Sequence, residues 1–300
     1  MQIATFATAN EEPQLGLVTG ENVIPLRRIT GIPDTMIDLI AAWPQAREAI
    51  AHAAEGTERI PLSHVQLLPP IDRPGKIMAM GLNYADHIAE AKLDPPREQI
   101  WFCKQLNTVH APFAPIQIPK ASAAIDYEVE LVVVIGQRGR HIAKDDVPNH
   151  IFGYCVGNDV TARDWQFRTP QWVLGKSFDT HGPFGPWITT AEAIGDPHRL
   201  DIRSFVNGEL RQTSNTRELI FNVYDQISHL SEAMTLEPGD IIFTGTPGGV
   251  GAAMKPPVYL KPGDLVRCEI DELGAIEAIC EDEPEAQTVR PAIVSPEQRP

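Results

Sequence analysis

Two glutamates separated by one residue precede the most apolar run in the chain. In the stretch AIDYEVELVVVIG, residues 124–136, Glu128 and Glu130 stand before LVVVI, a composition typical of a β-strand. Side chains two apart in a strand share a face. The two carboxylates are therefore predicted to lie side by side, where they repel each other unless one is protonated or a cation lies between them.

A divalent cation would relieve this repulsion, because Mg²⁺, Mn²⁺ and Ca²⁺ all prefer hard oxygen ligands. Such a site needs a further acidic group from elsewhere in the chain, and GYCVGNDVTARDWQ, residues 153–166, offers Asp159. Asp159 ends an apolar, strand-like run where the chain enters a loop, a common place for ligands. The alternative is that Glu128 and Glu130 simply lie on a solvated strand face.

The segment GLNYADHIAEAK, residues 81–92, predicts a helix with a second pair of reactive side chains. Asn83 is a candidate N-cap, and Asp86 supports the first turn. His87 and Glu90 are three apart and share one helix face. A carboxylate beside an imidazole raises its basicity, which suits it to deprotonate water. The alternative is an ordinary surface His–Glu pair.

Two loops rich in glycine and proline supply further candidates. Lys176 lies in VLGKSFDTHGPFGPW, residues 173–187, and is either a site cation or a solvated surface charge. The stretch IIFTGTPGGVG, residues 241–251, adds Thr246 beside glycines that allow close approach of the backbone to a ligand. It lacks the GK[ST] ending of a phosphate-binding P-loop, so a plain β-turn is the alternative.

The first 66 residues read as a small unit of their own. Residues 1–66 combine short strands with a helical stretch at 34–56, which predicts a small α/β N-terminal domain. Residues 67–76, LLPPIDRPGK, form a proline-rich linker, since proline and the residue before it resist helix.

The remainder reads as one larger, mostly β domain. Residues 77–280 contain many short apolar runs separated by Gly, Pro and Asp, and helical patterns only near 83–92 and 219–235. This ratio argues against a regular βαβ series and predicts an α+β fold. The tail 281–300 is charged, proline-rich and without periodicity, which predicts a flexible arm or a segment that covers a partner subunit.

Composition excludes several classes of function. The 300 residues carry 25 basic and 40 acidic side chains, a net charge of −15, which disfavours binding to nucleic acid or anionic lipid. The start of the chain has no secretory signal pattern, and no apolar run reaches the ~18 residues of a membrane span. The four cysteines form no CxxC pair, so we expect reduced thiols in a cytoplasmic protein.

Six motifs taken in order resemble the fumarylacetoacetate hydrolase family, over roughly residues 70–280. They are N-Y-x-x-H-x-x-E at 83–90, E-x-E at 128–130, N-D-V-T-A-R-D-x-Q at 158–166, G-K-S-F-D-x-x-x-P-x-G-P-W at 175–187, V-N-G-E at 206–209 and T-G-T-P-x-G-V-G at 244–251. The chain looks closest to the bacterial acylpyruvase and 2-oxo-heptenedioate isomerase-decarboxylase branch. The resemblance implies a mixed, mostly β-roll catalytic domain that forms homodimers.

The resemblance also implies a role for each matching residue. The positions that match metal ligands, for Mg²⁺ or Mn²⁺ with Ca²⁺ as a further candidate, are Glu128, Glu130 and Asp159. The catalytic positions are His87, Glu90 and Lys176. The positions around the substrate are Arg163, Gln166, Lys176 and Thr246. One departure is Gln105, where the family commonly has proline, and Lys104 beside it is a further candidate for the site.

The activity implied is hydrolysis of a carbon–carbon bond in a β-diketo acid of the acylpyruvate or fumarylpyruvate type, through a metal-bound enolate. The alternative is decarboxylation, isomerisation or hydration of a related 2-oxo acid, such as oxaloacetate or a 2-oxo-heptenedioate. The expected partners are a small anionic keto acid and a second copy of the chain, with neither nucleic acid nor membrane. The resemblance further implies a role in the breakdown of aromatic compounds.

Overall fold

The computed structural model describes residues 1–9, 12–53, 58–91 and 94–285, and only the backbone of Ala53, His87, Ala89 and Ala91. The predicted tail therefore lies outside the described residues from 286 onward. The strands are β1 (Gln2–Ala7), β2 (Gln14–Thr19), β3 (Asn22–Pro25), β4 (Ile60–Pro61), β5 (Gln66–Leu68), β6 (Ile77–Gly81), β7 (Ile100–Cys103), β8 (Val109–His110), β9 (Ile116–Ile118), β10 (Ile125–Asp126), β11 (Val129–Ile135), β12 (Ile151–Asn158), β13 (Thr161–Ala162), β14 (Gly182–Thr190), β15 (Asp201–Val206), β16 (Glu209–Asn215), β17 (Ile241–Phe243), β18 (Leu265–Ile270) and β19 (Gly274–Asp282).

The α-helices are short and few in the described ranges, so the predicted mixed, mostly β fold is confirmed. They are α1 (Met36–Ala41), α2 (Trp43–Ala53), α3 (Ala85–Ala91), α4 (Arg163–Gln166), α5 (Ala191–Ile194) and α6 (Val223–Ala233). Short 3-10 helices lie at Leu26–Arg28, Leu62–His64, Leu106–Thr108, Lys144–His150, Trp172–Leu174, Pro197–Arg199, Thr216–Glu218 and Gly251–Ala253. No helix in these ranges is long and apolar enough to cross a membrane.

Helix α6 begins at Val223, four residues later than the start at residue 219 that the sequence pattern predicts. The side chain of Asn222 accepts hydrogen bonds from the amides of Tyr224 and Asp225, so Asn222 is the cap that sets the first turn. The preceding Leu219 instead makes a β-bridge to Tyr84. The apolar pattern extends past the helix because both segments pack into the same core.

Two sheets enclose the main core. The larger sheet has the strand order β4-β3-β2-β1-β14-β12-β11-β17-β6-β7, with β5 paired to β1 and β8 to β14. The smaller sheet has the order β16-β15-β18-β19-β9. Val129, Leu131 and Val133 of β11 pack toward the smaller sheet and α6, whereas Val132 and Val134 pack toward α1 and α2. Strand β11 is therefore buried on both faces, which explains its continuous apolar run.

The N-terminal strands belong to the same large sheet as the predicted catalytic region. Gln2 and Ile3 of β1 pair antiparallel with Thr189 and Ile188 of β14. The division into a domain at 1–66, a linker at 67–76 and a domain at 77–280 stays a prediction. The last described strand, β19, ends at Asp282 and is hydrogen-bonded to β9. All four cysteines are free thiols.

A buried histidine should make stability depend on pH. His181 is fully buried, and its Nε2 lies 2.9 Å from the carbonyl oxygen of Gln117. Burial lowers the pKa of His181 to about 3, whereas the unfolded chain titrates near the ordinary value of 6.5. As pH falls from 6.5 toward 3, the unfolded chain takes up a proton that the native protein does not, so stability is lost.

Asparagine keeps an N–H donor but does not titrate. We therefore expect a fall in pH to reduce the stability of the wild type more than that of His181→Asn. The difference in unfolding free energy between the two proteins should shift by about 2 kcal/mol between pH 7 and pH 5. Urea denaturation at both pH values measures it. Parallel pH dependences of the two proteins would show that native His181 takes up its proton over the same pH range as the unfolded chain, which would contradict the lowered pKa.

Candidate active site

Adjacent strand ends bring the predicted acidic residues together. Val129 of β11 pairs with Asn158 of β12, so Glu128 and Asp159 both lie just beyond this pair. The amide of Asp159 donates to the carbonyl of Glu128 over 2.9 Å, and the Asn158 side chain accepts from the Glu128 amide over 3.0 Å. Backbone pairing thus sets the distance between residues that are far apart in sequence.

One carboxylate oxygen from each of Glu128, Glu130 and Asp159 lies within 4.8 Å of the other two. We call these three side chains the carboxylate cage. Their exposed fractions are 4%, 1% and 0%, so the alternative of a solvated strand face is wrong. Buried carboxylates at this separation require compensating positive charge, since desolvation and mutual repulsion both disfavour their ionised forms.

Two basic side chains provide part of that charge. Lys176 is 2% exposed, so the reading of a surface charge is wrong. Its Nζ lies 2.5 Å from Oε2 of Glu128 and 2.6 Å from Oδ2 of Asp159. Arg163 pairs with Oε1 of Glu128 over 2.6 Å and with Oδ2 of Asp126 over 2.9 Å.

The charges of Arg163 and Lys176 do not lower the pKa values of Glu128 and Glu130 equally. Burial alone would raise the pKa of Glu128, but the charges of Arg163 and Lys176 outweigh it and lower that pKa to about 2. Burial, followed by the charges of Asp159 and Glu128, raises the pKa of Glu130 well above its ordinary value. The backbone amide of Gly245 donates to Oε2 of Glu130 over 2.7 Å. The cage therefore retains unrelieved repulsion centred on Glu130.

The cage fits a divalent cation on its donor chemistry. It offers hard carboxylate oxygens from three side chains, which suit Mg²⁺, Mn²⁺ or Ca²⁺ better than softer metals. A doubly charged ion would also remove the repulsion that raises the pKa of Glu130. The structure thus brings together the three residues that the sequence predicts as metal ligands.

Sequence reasoning missed Asp126, which braces the same region. Its carboxylate accepts hydrogen bonds from the amides of Gly251 and Ala252 as well as pairing with Arg163. The signal was present in DYEVE, because Asp126 lies two residues before Glu128. Asp126 thus connects the loop at 244–252, which we call the glycine-rich loop, to Arg163 beside the cage.

Lys104 also lies in this region, 55 positions before Asp159. Its Nζ is 2.6 Å from Oδ1 of Asp159 and 2.5 Å from the carbonyl oxygen of Lys176. Next to it, the amide of Gln105 donates to Oγ of Ser177 over 3.1 Å. Proline has no such amide, so the departure from the family pattern at Gln105 adds a contact to the Lys176 segment.

Helix α3 is attached to the glycine-rich loop by its acidic side chains. Oδ1 of Asp86 accepts from the amide of Gly248 over 3.3 Å, and Oε2 of Glu90 accepts from the amide of Gly249 over 2.9 Å. Glu90 lines the pocket described below. The side chain of His87 lies outside the described residues, so its predicted pairing with Glu90 stays a prediction.

The predicted capping role of Asn83 is wrong. Helix α3 begins at Ala85, and the side-chain nitrogen Nδ2 of Asn83 donates to the carbonyl oxygens of Phe221 and Thr244, over 3.0 and 2.7 Å. The Asn83 side-chain oxygen accepts from the Phe221 amide over 2.9 Å. Asn83 therefore links its own segment to the segments of Phe221 and Thr244.

A pocket of about 380 Å³ opens over the cage. The polar side chains that line it include the predicted site residues Glu90, Glu128, Glu130, Arg163, Gln166, Lys176 and Thr246. The apolar side chains that line it include Met80, Leu82, Phe102, Phe167, Trp172 and Val250. Asp159, the third member of the cage, is fully buried.

Gln166 and Thr246, like the other predicted substrate-binding residues Arg163 and Lys176, are engaged with the protein itself. Oε1 of Gln166 accepts from Nη1 of Arg163 over 3.0 Å. The hydroxyl of Thr246 donates to the carbonyl of Val129 over 3.0 Å and accepts from the side-chain amide of Gln212 over 2.7 Å. Their contact with a substrate stays a prediction.

Comparison with known proteins adds independent information. Residues 76–279 match the family model described as fumarylacetoacetate (FAA) hydrolase, C-terminal. A relative from Xenopus laevis, described as a mitochondrial oxaloacetate tautomerase, is 43% identical over 283 residues, which cover 92% of this chain and 89% of the relative. A relative from Rattus norvegicus with the same description is 45% identical over 282 residues, covering 92% and 90%.

Among solved structures, the fold is similar to that of maleylpyruvate hydrolase from Sphingobium sp. SYK-6, determined in complex with manganese(II) and pyruvate. The TM-score is 0.82 and the identity 35%, over 95% of this chain and all of that one. The relatives are thus enzymes that act on small oxo acids, with more than one type of reaction among them.

Proposed function

Because the chain belongs to the fumarylacetoacetate hydrolase family, we propose that it is a divalent-metal-dependent enzyme that interconverts the keto and enol forms of a small 2-oxo dicarboxylic acid of the oxaloacetate type. The observation that carries the proposal is the buried carboxylate cage with basic side chains beside it, at the base of one pocket. The choice of tautomerisation is supported by 43% and 45% identity to oxaloacetate tautomerases over 92% of the chain.

In this proposal Glu128, Glu130 and Asp159 hold Mg²⁺ or Mn²⁺, with Ca²⁺ as a further candidate. The bound ion would supply Lewis acidity, which makes a proton next to a carbonyl group easier to remove. Arg163 and Gln166 line the pocket, where a guanidinium group can bind a substrate carboxylate through two hydrogen bonds.

Glu90 is the group that we assign to the proton transfer. Among the described residues that line the pocket, Glu90 is the one acidic residue outside the carboxylate cage. Its carboxylate would accept the proton from the carbon between the carbonyl and the distal carboxylate, and return it to that carbon in the reverse direction. The proton held by Glu90 would then pass to the carbonyl oxygen, which completes the enol and leaves Glu90 ionised for the next cycle.

Lys176 and Thr246 contribute at the oxygen. A positive ammonium group beside the substrate stabilises the negative charge that builds up on the carbonyl oxygen when the proton leaves. The loop that carries Thr246 approaches the cage through the Gly245 amide, which binds Glu130. The apolar side chains that line the pocket would exclude water from the reacting atoms, which strengthens these electrostatic effects.

Hydrolysis of a carbon–carbon bond in a β-diketo acid is the second candidate. It is favoured by the placement of His87 three residues before Glu90 on α3, a spacing suited to activate water. It is also favoured by the similarity of the fold to a maleylpyruvate hydrolase. Decarboxylation or hydration of a related 2-oxo acid would use the same cage.

One assay series separates these reactions. Enol oxaloacetate is added to the protein with Mg²⁺ or Mn²⁺, and the loss of its ultraviolet absorbance is followed together with pyruvate release. Acylpyruvate and 2-oxo-heptenedioate substrates are run in parallel. We expect metal-dependent loss of the enol without pyruvate release, and no acceleration in protein treated with a chelator.

Faster cleavage of an acylpyruvate than tautomerisation of oxaloacetate would support the hydrolase instead. Absence of any metal-dependent reaction would contradict the proposal as a whole.

The cytoplasmic location, the homodimer and the role in aromatic breakdown stay predictions. Both tautomerase relatives are described as mitochondrial proteins.

A further inference from the structure

The ammonium group of Lys176 occupies a position between two members of the carboxylate cage. Its Nζ contacts Oε2 of Glu128 and Oδ2 of Asp159, over 2.5 and 2.6 Å. The side chain is almost entirely buried, as are both carboxylates. Lys176 therefore neutralises part of the negative charge of the cage, together with Arg163 at Glu128 and Lys104 at Asp159.

A divalent ion held by the cage would need oxygens of the same two side chains. A dication and an ammonium group repel each other strongly at short distance in a buried site. A carboxylate oxygen that already accepts a charged hydrogen bond also has less electron density to offer a metal. Lys176 and a bound metal ion thus compete for Glu128 and Asp159.

The surrounding contacts confine any movement to the side chain of Lys176. Lys104 donates to the other oxygen of Asp159, Oδ1, over 2.6 Å and to the carbonyl oxygen of Lys176 over 2.5 Å. The Gln105 amide holds Ser177. The Asp159 carboxylate and the Lys176 backbone would therefore keep their positions if the Lys176 ammonium group moved.

The pocket offers a destination for the displaced ammonium group. Its Nζ already lies 4.8 Å from the centre of the Phe102 ring, and the Trp172 ring lies 5.6 Å from that of Phe102. Aromatic faces attract ammonium groups. Both rings line the pocket, as does Lys176 itself, so a small shift would direct the ammonium group toward a bound substrate.

We propose that Lys176 is an internal counter-cation that a divalent metal displaces from the cage, so that the lysine turns toward the substrate only in the metal-loaded protein. Metal binding would then precede productive binding of the anionic substrate. This inference depends on the metal site of the proposed function. It adds that Lys176 opposes metal binding, which a purely substrate-binding lysine would not do.

The test is the Mn²⁺ affinity of Lys176→Met, measured from the electron paramagnetic resonance signal of free Mn²⁺ at fixed pH and ionic strength. Loss of the competing ammonium group should tighten Mn²⁺ binding roughly tenfold or more, given the strength of charged hydrogen bonds. The metal-free variant should also unfold at a lower temperature than the metal-free wild type, because two buried carboxylates lose a cation.

Two matched variants separate competition from a general change in charge. Lys104→Met removes an equal charge from the same Asp159, but from its other oxygen, and should change Mn²⁺ affinity less than Lys176→Met. Lys76→Met removes a lysine that pairs with Asp240 over 2.7 Å outside the pocket, and should leave Mn²⁺ affinity unchanged. Equal tightening in Lys104→Met and Lys176→Met would contradict direct competition.

A measurement on the wild type covers the case in which Lys176→Met does not fold. An amine-acylating reagent is applied with and without Mn²⁺, and modification of each lysine is quantified by mass spectrometry. Lys176 should react faster with Mn²⁺ present, whereas Lys76 should not change. An unchanged rate at Lys176 in protein that binds Mn²⁺ would overturn this inference and leave the proposed function intact. A wild type that binds no Mn²⁺ would overturn both.

Discussion

Glu130→Gln should bind Mn²⁺ at least about a hundredfold more weakly than the wild type, because removing even a group that merely orients a metal ligand costs ten- to hundredfold. Glutamine has nearly the same shape, and its carbonyl oxygen can still accept from the Gly245 amide. The change therefore removes a charge from the cage with little disturbance of the loop. Turnover of oxaloacetate should fall together with metal occupancy.

Metal titration by calorimetry and enol decay at saturating Mn²⁺ measure these effects. Glu269→Gln is a matched control, since Glu269 is a strand glutamate that pairs with Arg203 and Arg267 away from the pocket. It should bind Mn²⁺ like the wild type. Wild-type affinity in Glu130→Gln would mean that the cage is not the metal site, and the proposed function would lose its main support.

Glu90→Gln should lower kcat for oxaloacetate tautomerisation by roughly 10²- to 10⁴-fold, the usual contribution of a positioned acid–base group. The amide oxygen of glutamine can still accept from the Gly249 amide, so the attachment of α3 to the glycine-rich loop is retained. Mn²⁺ affinity should not change, because Glu90 lies outside the cage. Steady-state kinetics on enol oxaloacetate, with Mn²⁺ binding as the control, measure this prediction.

His87→Ala provides the contrast within the same helix. Only hydrolysis needs an activated water molecule, so this variant should lose any acylpyruvate cleavage and retain more of the tautomerase activity than Glu90→Gln does. An equal loss of tautomerisation in both variants would indicate that the two side chains act as one unit. Full tautomerase activity in Glu90→Gln would exclude Glu90 as the proton-transfer group.

The residues with local sequence signals could be predicted well. The alternation of Glu128 and Glu130 ahead of an apolar run indicates a shared strand face, and Asp159 at the end of another such run indicates a nearby loop. The structure brings one carboxylate oxygen of each of the three residues within 4.8 Å of the other two. The prediction succeeds because strand periodicity and strand ends are properties of a few consecutive residues.

Contacts between residues that are far apart in the sequence could not be predicted in the same way. Lys104 reaches Asp159 across 55 positions, and Asn83 binds Phe221 across 138. Such contacts depend on how β6, β7 and β17 are ordered in the sheet, and one sequence carries no signal for that order. The polar character of Asn83 fits a helix cap equally well, which explains why local reasoning assigned it wrongly.

The fold shows the same limit. Short strands were expected both before and after the proline-rich stretch at 67–76, and both sets are present. Their propensities do not reveal that β1 would join β14 in one sheet, because β-propensity reports a strand and not its neighbour. The mostly β class was therefore predictable, whereas the continuity of the large sheet was not.

This continuity limits how the chain can be shortened. Strand β14 is covered on one side by β12 and on the other, at Ile188 and Thr189, by β1, so removing the first 66 residues would leave this end of β14 without a partner strand on that edge. An uncovered edge of this kind invites sheet-to-sheet association between molecules. We therefore expect a catalytic fragment that lacks the first strands to associate through this edge unless another segment covers it.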